Sequence, residues 1–578
     1  MDGAQLLLVV IAAIVVTAVA HRRGLQTPLI LVVVGTAVSF IPGLPRFEIE
    51  PELILSFVLP PLLYSTALEF SLIHFLRNLR PILGLGILLV VATTLVVGGA
   101  ANIMVNELTL GAALVLGAVV APPDAVSAVA IGRRLGLSKR VMTILTGESL
   151  VNDAAALTLF TITTVAVTQQ TAFIESPVLF FGYGAVVGLL VGLVLAVIVL
   201  RTRSRLNNAG LETVLGIVVP FAAYLIAEEL HASGVVAVVA AGFLIGHNAD
   251  RTGVATRMQE RDVWRTVSVL LEAFVFAYMG LQVKFVLDDV VAEGRPIGGV
   301  LLAALGVLLV VILVRVAWVL LDHARLVGQA RLGRWFLRDR PNARKAIKRA
   351  RHREGQLPPE QRVLPLKSDL VISWTGMRGV VTLAAAAGIP AVTASGAEFP
   401  GRATIQVIAL VVAIGTLLIQ GATLPAFIRS LKLDPAADEA YTAQQHRHAQ
   451  QVILRAGQDT MRELFARLAE QKGSGVDPAA VEAFAARFAE AQRARQRVVD
   501  DLEPAEADGE LDGRHDAKRQ LMAEQFQQAR LEMVRAQRRA LTAERDAFRL
   551  DDDVYRELIE QLDLDEASVT ARLSSRLQ

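Results

Sequence analysis

The sequence of 578 residues contains no cysteine, and charged residues make up only 19% of it. The absence of cysteine excludes disulfide scaffolds, cysteine-ligated zinc or iron–sulfur centres, and thiol catalysis. A P-loop, a Gly-rich dinucleotide fingerprint, an HExxH motif and a GxSxG motif are also missing, so the sequence predicts neither an enzyme nor a cofactor. The net charge of +2 does not favour a nucleic-acid partner. Soluble proteins average about 25% charged residues, and the deficit indicates a membrane protein.

Long runs without Asp, Glu, Lys or Arg occupy the first three quarters of the chain. Four runs, at 81–106, 154–174, 176–200 and 403–428, each reach the ~20 residues that a helix needs to cross ~30 Å of hydrocarbon. With the shorter or interrupted apolar segments, we predict an all-α polytopic protein with thirteen spans. The spans lie near 4–20, 28–42, 53–72, 81–102, 109–131, 141–168, 178–200, 211–229, 233–248, 263–286, 296–321, 367–390 and 403–428.

The charge of the connecting loops alternates along the chain. Basic residues concentrate in the odd-numbered loops, for example at 21–23, 133–140 and 322–367. The positive-inside rule places these loops in the cytoplasm, with the N-terminus outside and the C-terminus inside. Merging the short spans 211–229 and 233–248 into one would give twelve spans and break this alternation. The first span could also be a signal peptide, but its basic cluster follows the apolar run, which favours an uncleaved helix.

Two polar regions accompany the membrane part, residues 1–430. Residues 431–578 contain 22 Lys+Arg and 29 Asp+Glu, a net charge of −7 that leaves +9 for residues 1–430. Helical spacing in this tail predicts helices at 445–470, 478–500 and 514–549. The tail is therefore interpreted as a cytosolic helical domain. It regulates the membrane part, mediates dimerisation, or only keeps the protein solvated. Loop 322–367 holds thirteen Lys+Arg and favours an ordinary cytoplasmic loop over a nucleotide or anionic-lipid site.

Ionisable residues inside predicted spans indicate function, because a charge at the bilayer centre costs ~2.5–3.5 kcal/mol or more. Span 141–168 contains Glu148, Ser149, Asn152 and Asp153, and Asp153 lies roughly 18 Å along this helix, near the bilayer midplane. Ser149 and Asp153 share one face, and Glu148 and Asn152 share the adjacent face. Oxygen ligands of this kind suit Na⁺, and a buried carboxylate also binds H⁺. The alternative is a satisfied polar contact between helices.

A second signal is a helix break in span 109–131. Pro122 and Pro123 remove backbone donors there, and Asp124 follows them. Non-helical backbone at membrane depth is tolerated only where it lines a cavity or is buried in protein, and discontinuous helices are frequent in transporters. The alternative is a proline kink in which Asp124 only caps the second half-helix.

A third signal is Arg378 in span 367–390, between Gly376 and Gly379. Arginine stays charged at any depth, so Arg378 requires a buried acid, and we predict that this acid is Glu148. Other acids in the spans, such as Glu272, lie nearer the predicted helix ends and are interpreted as solvated.

These motifs together resemble the bacterial sodium/proton exchangers of the monovalent cation:proton antiporter superfamily. The resemblance rests on Asn152-Asp153, on the Pro-Asp break at Asp124 and on the run from Gly376 to Ala384, and it extends over residues 5–430. Tail segments 543–546 and 557–564 are similar to tails of the same bacterial branch. The resemblance implies an electroneutral antiporter in the cytoplasmic membrane that uses no cofactor. It also implies a homodimer, with inverted repeats and two broken, crossing helices in each chain.

The resemblance also implies roles for single residues. Asp153 would bind the ion and the proton with Asn152, Asp124 and Ser149, and Na⁺ would lie at Asp153, Asp124 and Ser149. Glu148 and Arg378 would form a structural ion pair. Two positions depart from the family pattern, since Pro123 replaces a threonine and Ser65 replaces an acid found in many members. The cation therefore stays open between Na⁺, K⁺ and Li⁺, and a cation channel or a tail-regulated membrane receptor remain the alternatives.

Overall fold

The computed structural model describes residues 3–43, 46, 50–124, 126–169, 173–206, 208–294, 296–338, 364–433, 436–470 and 513–577. Every regular element in these ranges is a helix, and their one β-contact is an isolated bridge between Val392 and Glu398. The predicted all-α fold class is therefore confirmed. The chain divides into two compact units, residues 1–438 and 439–578.

The first unit contains thirteen helical spans within the described residues, and two of them, α5 and α12, are interrupted. They are α1 Gly3–Arg22, α2 Thr27–Ser39, α3 Ile54–Glu69, α4 Leu79–Met104, α5a Leu110–Val120, α5b Val126–Arg134, α6 Lys139–Thr168, α7 Pro177–Leu206, α8 Ala209–Glu229, α9 Gly234–His247, α10 Val254–Ala292, α11 Ile297–Arg338, α12a Leu366–Trp374, α12b Val380–Ala387 and α13 Arg402–Leu431. Seven of these spans are long and apolar enough to cross a membrane, and five more are shorter apolar helices.

The helices correspond one to one to the predicted spans, with two large differences in length. Helix α10 begins at Val254, nine residues before the predicted start, and α11 continues to Arg338, well past the predicted end at 321. Part of loop 322–367 is therefore helical, and residues 339–363 of it lie outside the described residues. A helix that leaves the membrane keeps its backbone hydrogen bonds, so it can continue through polar residues beyond the end of its apolar run.

Helix α6 lies between two apolar clusters of the first unit. Ile144 and Leu145 pack with residues of α2 and α10, including Val32. One turn later, Leu150 packs with residues of α3 and α9, including Tyr64. Because both flanks of α6 are covered by other helices, its polar face is held inside the protein rather than against lipid.

The second unit contains all but the first three residues of α14 Ala436–Glu470, together with α15 Gly513–Asp546 and α16 Asp552–Leu577. Its apolar core includes Ala449 of α14, Leu541 of α15 and Leu558 of α16. Arg538 of α15 also forms an ion pair with Asp563 of α16, at 2.7 Å. The predicted tail helix at 478–500 lies outside the described residues.

Candidate functional site

The interruptions of α5 and α12 contact each other directly. Residues 121–124 separate α5a from α5b, and residues 375–379 separate α12a from α12b. The backbone N–H of Asp124 donates to the carbonyl oxygen of Met377 across 2.6 Å. Each interrupted segment therefore satisfies part of the backbone of the other, which is the condition for non-helical chain at membrane depth.

The charged residue of each break lies at the end of a half-helix of the other interrupted helix. Arg378 lies at the C-terminal end of α5a, and Asp124 lies at the N-terminal end of α12b. Nε of Arg378 donates to the carbonyl oxygen of Val120, the last residue of α5a, at 3.0 Å. The carboxylate of Asp124 lies against Gly379, the N-cap of α12b, so closely that a Cβ built on Gly379 would clash with Oδ2. A cation at a helix C-terminus and an anion at an N-terminus are both favourable. The charges of Arg378 and Asp124 thus compensate the partial charges of the two half-helix ends at the crossing.

The polar face of α6 adjoins this crossing. Asn152 is fully buried, and its Nδ2 donates to the carbonyl oxygen of Pro123 across 2.6 Å. Asp153 is buried, and it lies close enough to Asp124 for the two carboxylates to repel each other when both are ionised. Ser149 is half-buried one helical turn before Asp153, about 6 Å along the axis. The structure thus brings Asn152, Asp153 and Asp124 together and places Ser149 at the edge of the group.

The predicted ion pair between Glu148 and Arg378 is wrong. Both carboxylate oxygens of Glu148 bind the guanidinium of Arg315 in α11, with Nη2 and Oε2 2.9 Å apart. Nε of Arg315 also donates to the carbonyl oxygen of Ile372, at 3.1 Å. Arg378 instead donates to the carbonyl oxygens of Val120 and Gly376.

Arg315 is a residue of this buried polar region that the sequence prediction did not include, although a signal for it exists. It is the single charged residue in predicted span 296–321, and a lone arginine in a span requires a buried partner. Its planar fork suits bidentate binding of a carboxylate. Gly376 allows the close approach, because a Cβ there would lie 2.6 Å from Cδ of Arg315.

The position of Glu272 also differs from the one predicted from the sequence. Since α10 begins at Val254, Glu272 lies near the middle of this helix and not at its end. It is half-buried and makes no hydrogen bond or ion pair within the described residues, and its charge interacts with that of Asp124. One turn earlier, Oγ of Ser268 donates to Oγ of Ser65 in α3, at 2.9 Å.

The chemistry of the site follows from these groups. In the described part of the chain, no three or more Asp, Glu or His residues are grouped so that they could hold a metal ion. A cation at Asp153 and Asp124 would therefore need hydroxyl, amide or carbonyl oxygens or water as further ligands. Two carboxylates beside compensated half-helix ends are suited to binding one monovalent cation or a proton in a position shielded from lipid.

Comparison with known proteins finds a family and relatives for this chain. The family model described as "Sodium/hydrogen exchanger, transmembrane" matches residues 9–430. An uncharacterized Na⁺/H⁺ exchanger of Mycobacterium tuberculosis is 31% identical over 571 residues, covering 98% of this chain and 96% of that protein. A sodium, potassium, lithium and rubidium/H⁺ antiporter of Bacillus subtilis is 30% identical over 442 residues, covering 74% of this chain and 61% of that protein.

Solved structures share the same fold. The sodium proton antiporter MjNhaP1 of Methanocaldococcus jannaschii at pH 8 superposes with a TM-score of 0.53 at 17% sequence identity. The matched region covers 74% of this chain and 98% of the archaeal one.

Proposed function

The chain belongs to the sodium/hydrogen exchanger family, and from this premise we propose that it exchanges Na⁺ for H⁺ at one site centred on Asp153. Exchange of a monovalent cation for protons is the activity of this multi-pass membrane protein. The observation that carries the proposed site is the crossing of α5 and α12 beside α6, where Asp124 and Asp153 interact. The proposed ligand groups are Asp153, Asn152, Asp124 and Ser149.

The proposed mechanism needs one site that titrates. A carboxylate at Asp153 binds either one Na⁺ or one H⁺, so the two ions compete for it. A loaded site carries less charge and crosses between the two sides, whereas a bare carboxylate is costly to move through a low-dielectric core. Each side of the membrane loads the ion that is in excess there. One Na⁺ exchanged for one H⁺ moves no net charge, which makes the exchange electroneutral.

K⁺/H⁺ exchange is the second candidate function. The name of the Bacillus subtilis relative includes potassium, lithium and rubidium beside sodium, which supports a broader choice of cation. A hydroxyl pair, Ser65 and Ser268, lies where α3 contacts α10, so the region holds neutral ligands as well as acids.

Several features of the assembly are proposals of the same kind. We propose a homodimer in the cytoplasmic membrane, with the N-terminus outside and the tail, residues 431–578, in the cytosol. The alternating loop charge of the sequence supports this orientation. The tail, with its own helical core, is proposed to regulate exchange or to dimerise.

The test is proton flux in proteoliposomes that contain a pH dye and the full-length protein. Na⁺, K⁺ and Li⁺ gradients are applied separately, with and without a clamped potential. We expect Asp153→Asn to abolish cation-driven proton flux while the protein still inserts and keeps its unfolding temperature. Asp262→Asn, the same substitution at an exposed position of α10, serves as the control and should retain full flux.

Three outcomes would contradict the proposal. Full Na⁺-driven proton flux in Asp153→Asn would remove Asp153 from the site. Cation current without coupled proton movement would indicate a channel. Flux that changes in proportion to the clamped potential would exclude electroneutral exchange.

A further inference from the structure

Three buried oxygen atoms beside the crossing have no hydrogen-bond partner within the described residues. They are Oδ1 of Asn152 in α6, Oγ of Ser127 in α5b and Oγ1 of Thr382 in α12b. All three residues are nearly inaccessible, with exposed fractions of 0%, 7% and 1%. A buried polar atom without a partner is costly in a bilayer core, where water cannot replace the missing bond. These three atoms therefore call for an occupant.

The helix breaks explain why the two hydroxyl groups are free. A threonine in an intact helix donates to the carbonyl four residues earlier, as Thr93 does to Leu89 at 2.7 Å. Thr382 lies in the first turn of α12b, and the residue four positions earlier belongs to the interrupted segment, outside the helix. Ser127 lies in the first turn of α5b, and the carbonyl of Pro123 accepts from Asn152 instead.

The free oxygens come from the three elements that meet at the carboxylates. Thr382 lies one turn after Gly379, which contacts the carboxylate of Asp124. Ser127 lies one turn after Asp124 itself, and Asn152 directly precedes Asp153. A small cation between Asp124 and Asp153 would thus have uncommitted oxygens on each of these elements.

We propose that the hydroxyl groups of Thr382 and Ser127, with Oδ1 of Asn152, complete the oxygen shell of the transported cation and set the affinity for it. This inference rests on the proposed function, because it requires a cation at Asp124 and Asp153. A cation that leaves water needs replacement oxygens around it, whereas a proton needs only the carboxylate. Neutral hydroxyls supply these ligands without changing the charge balance of the exchange.

The test compares Thr382→Val, Thr382→Ser and Ser127→Ala in full-length protein in proteoliposomes. Loss of one hydroxyl ligand should raise the half-saturating Na⁺ concentration roughly three- to tenfold. Flux at saturating Na⁺ should fall by a smaller factor, since the carboxylates that bind the proton are intact. Thr382→Ser keeps the hydroxyl and should remain close to wild type.

The chain offers a matched control in Thr93→Val. Thr93 is as buried as Thr382, at 1% exposed, but its hydroxyl is bonded within α4. Thr93→Val should therefore leave the half-saturating Na⁺ concentration unchanged. The ratio of the half-saturating concentrations of Na⁺ and Li⁺ should change in Thr382→Val and not in the control, because a merely structural role alters stability without altering cation preference.

The inference is overturned if Thr382→Val and Ser127→Ala keep wild-type half-saturation for both cations. It is also overturned if Thr382→Ser is as impaired as Thr382→Val. Should the valine variant fail to insert, Ser127→Ala and Thr382→Ser decide the matter. Failure of the proposed function looks different, because wild-type protein would then show no coupled flux or Asp153→Asn would retain it.

Discussion

The guanidinium Nε of Arg378 donates to the carbonyl oxygen of Val120 across 3.0 Å, although 258 residues separate the two in sequence. This bond joins the break in α12 to the C-terminal end of α5a. Asp124 lies at the N-terminal end of α12b. Each break therefore places a charged side chain at a helix end of the other break, and the two charges are of opposite sign. The two interrupted helices are therefore one structural unit, and disturbing either break should disturb both.

Arg378→Lys tests this unit. Lysine keeps the charge but lacks the planar fork that reaches the carbonyls of Val120 and Gly376 together. We expect a lower unfolding temperature in detergent and strongly reduced exchange, with Arg378→Gln more severe. Arg402→Lys, at the start of α13, is the control outside the crossing. Wild-type flux in Arg378→Gln would show that α5a needs no compensating cation.

The pair of Glu148 and Arg315 predicts a characteristic pattern of stability. Arg315→Met leaves a buried carboxylate without its partner and should destabilise the protein by roughly 3–5 kcal/mol. The double variant Glu148→Leu/Arg315→Met should recover a large part of this loss, since it leaves no buried charge unpaired. Arg46→Met breaks an ion pair with Asp289 of 2.7 Å that is solvent-exposed, and should cost about 1 kcal/mol or less.

Chemical unfolding of the purified protein in detergent measures these differences. A double variant no more stable than Arg315→Met would contradict the pairing, and so would a single variant with wild-type stability.

Gly379→Ala should abolish exchange. The added Cβ would clash with the carboxylate of Asp124, so the carboxylate or α12b must move, and small displacements at such a site are costly. Gly99→Ala in α4 is the matched control, because no atom lies within 4 Å of the Cβ added there, and it should exchange normally. Sodium-driven proton flux of the two variants, normalised to inserted protein, is the measurement. Equal flux would contradict the close approach.

Glu272→Gln should weaken cation binding without abolishing exchange. Its carboxylate and that of Asp124 repel each other when both are ionised, so an ionised Glu272 adds negative potential where the cation is proposed to bind. Neutralising it should raise the half-saturating Na⁺ concentration roughly two- to fivefold at low ionic strength. Glu69→Gln, at the exposed end of α3, should show no such rise. An unchanged value in Glu272→Gln would assign Glu272 to packing alone.

The tail permits a prediction about pH. Hydrogen bonds from Arg549, assisted by His448, lower the pKa of Glu544 from 4.5 to about 2. A lowered folded-state pKa contributes stability that is complete above pH 4.5 and is lost as pH falls towards 2. Glu544 therefore stabilises the tail constantly between pH 5 and 8.

Amide hydrogen exchange of the full-length protein measures this contribution. Glu544→Gln should speed exchange at pH 7 in the helices that contact this residue, α14 and α15. Glu463→Gln, an exposed position of α14, should leave exchange unchanged. If protection of wild-type protein in this region fell between pH 8 and 5, another group would be responsible.

Much of the fold could be predicted from the sequence. Apolar runs long enough to cross a bilayer, loops of alternating charge and prolines inside a span determine where helices lie and where one breaks. These signals are local, because each depends on neighbouring residues and on the difference between water and lipid. The helix ends of α10 and α11 were not predictable in this way, since a helix continues through polar residues when its backbone bonds persist.

The local sequence identifies residues that are costly to bury in a membrane, among them Asp124, Asp153 and Arg378. Their partners depend on the tertiary structure, because a buried ionisable group binds the residues that the fold places next to it. The sequence predicts a pair of Glu148 and Arg378, whereas in the structure Arg378 donates to Val120 and Glu148 binds Arg315. The apolar residues that neighbour a charge in the sequence predict its burial. The group that compensates the charge depends on contacts between residues far apart in the chain.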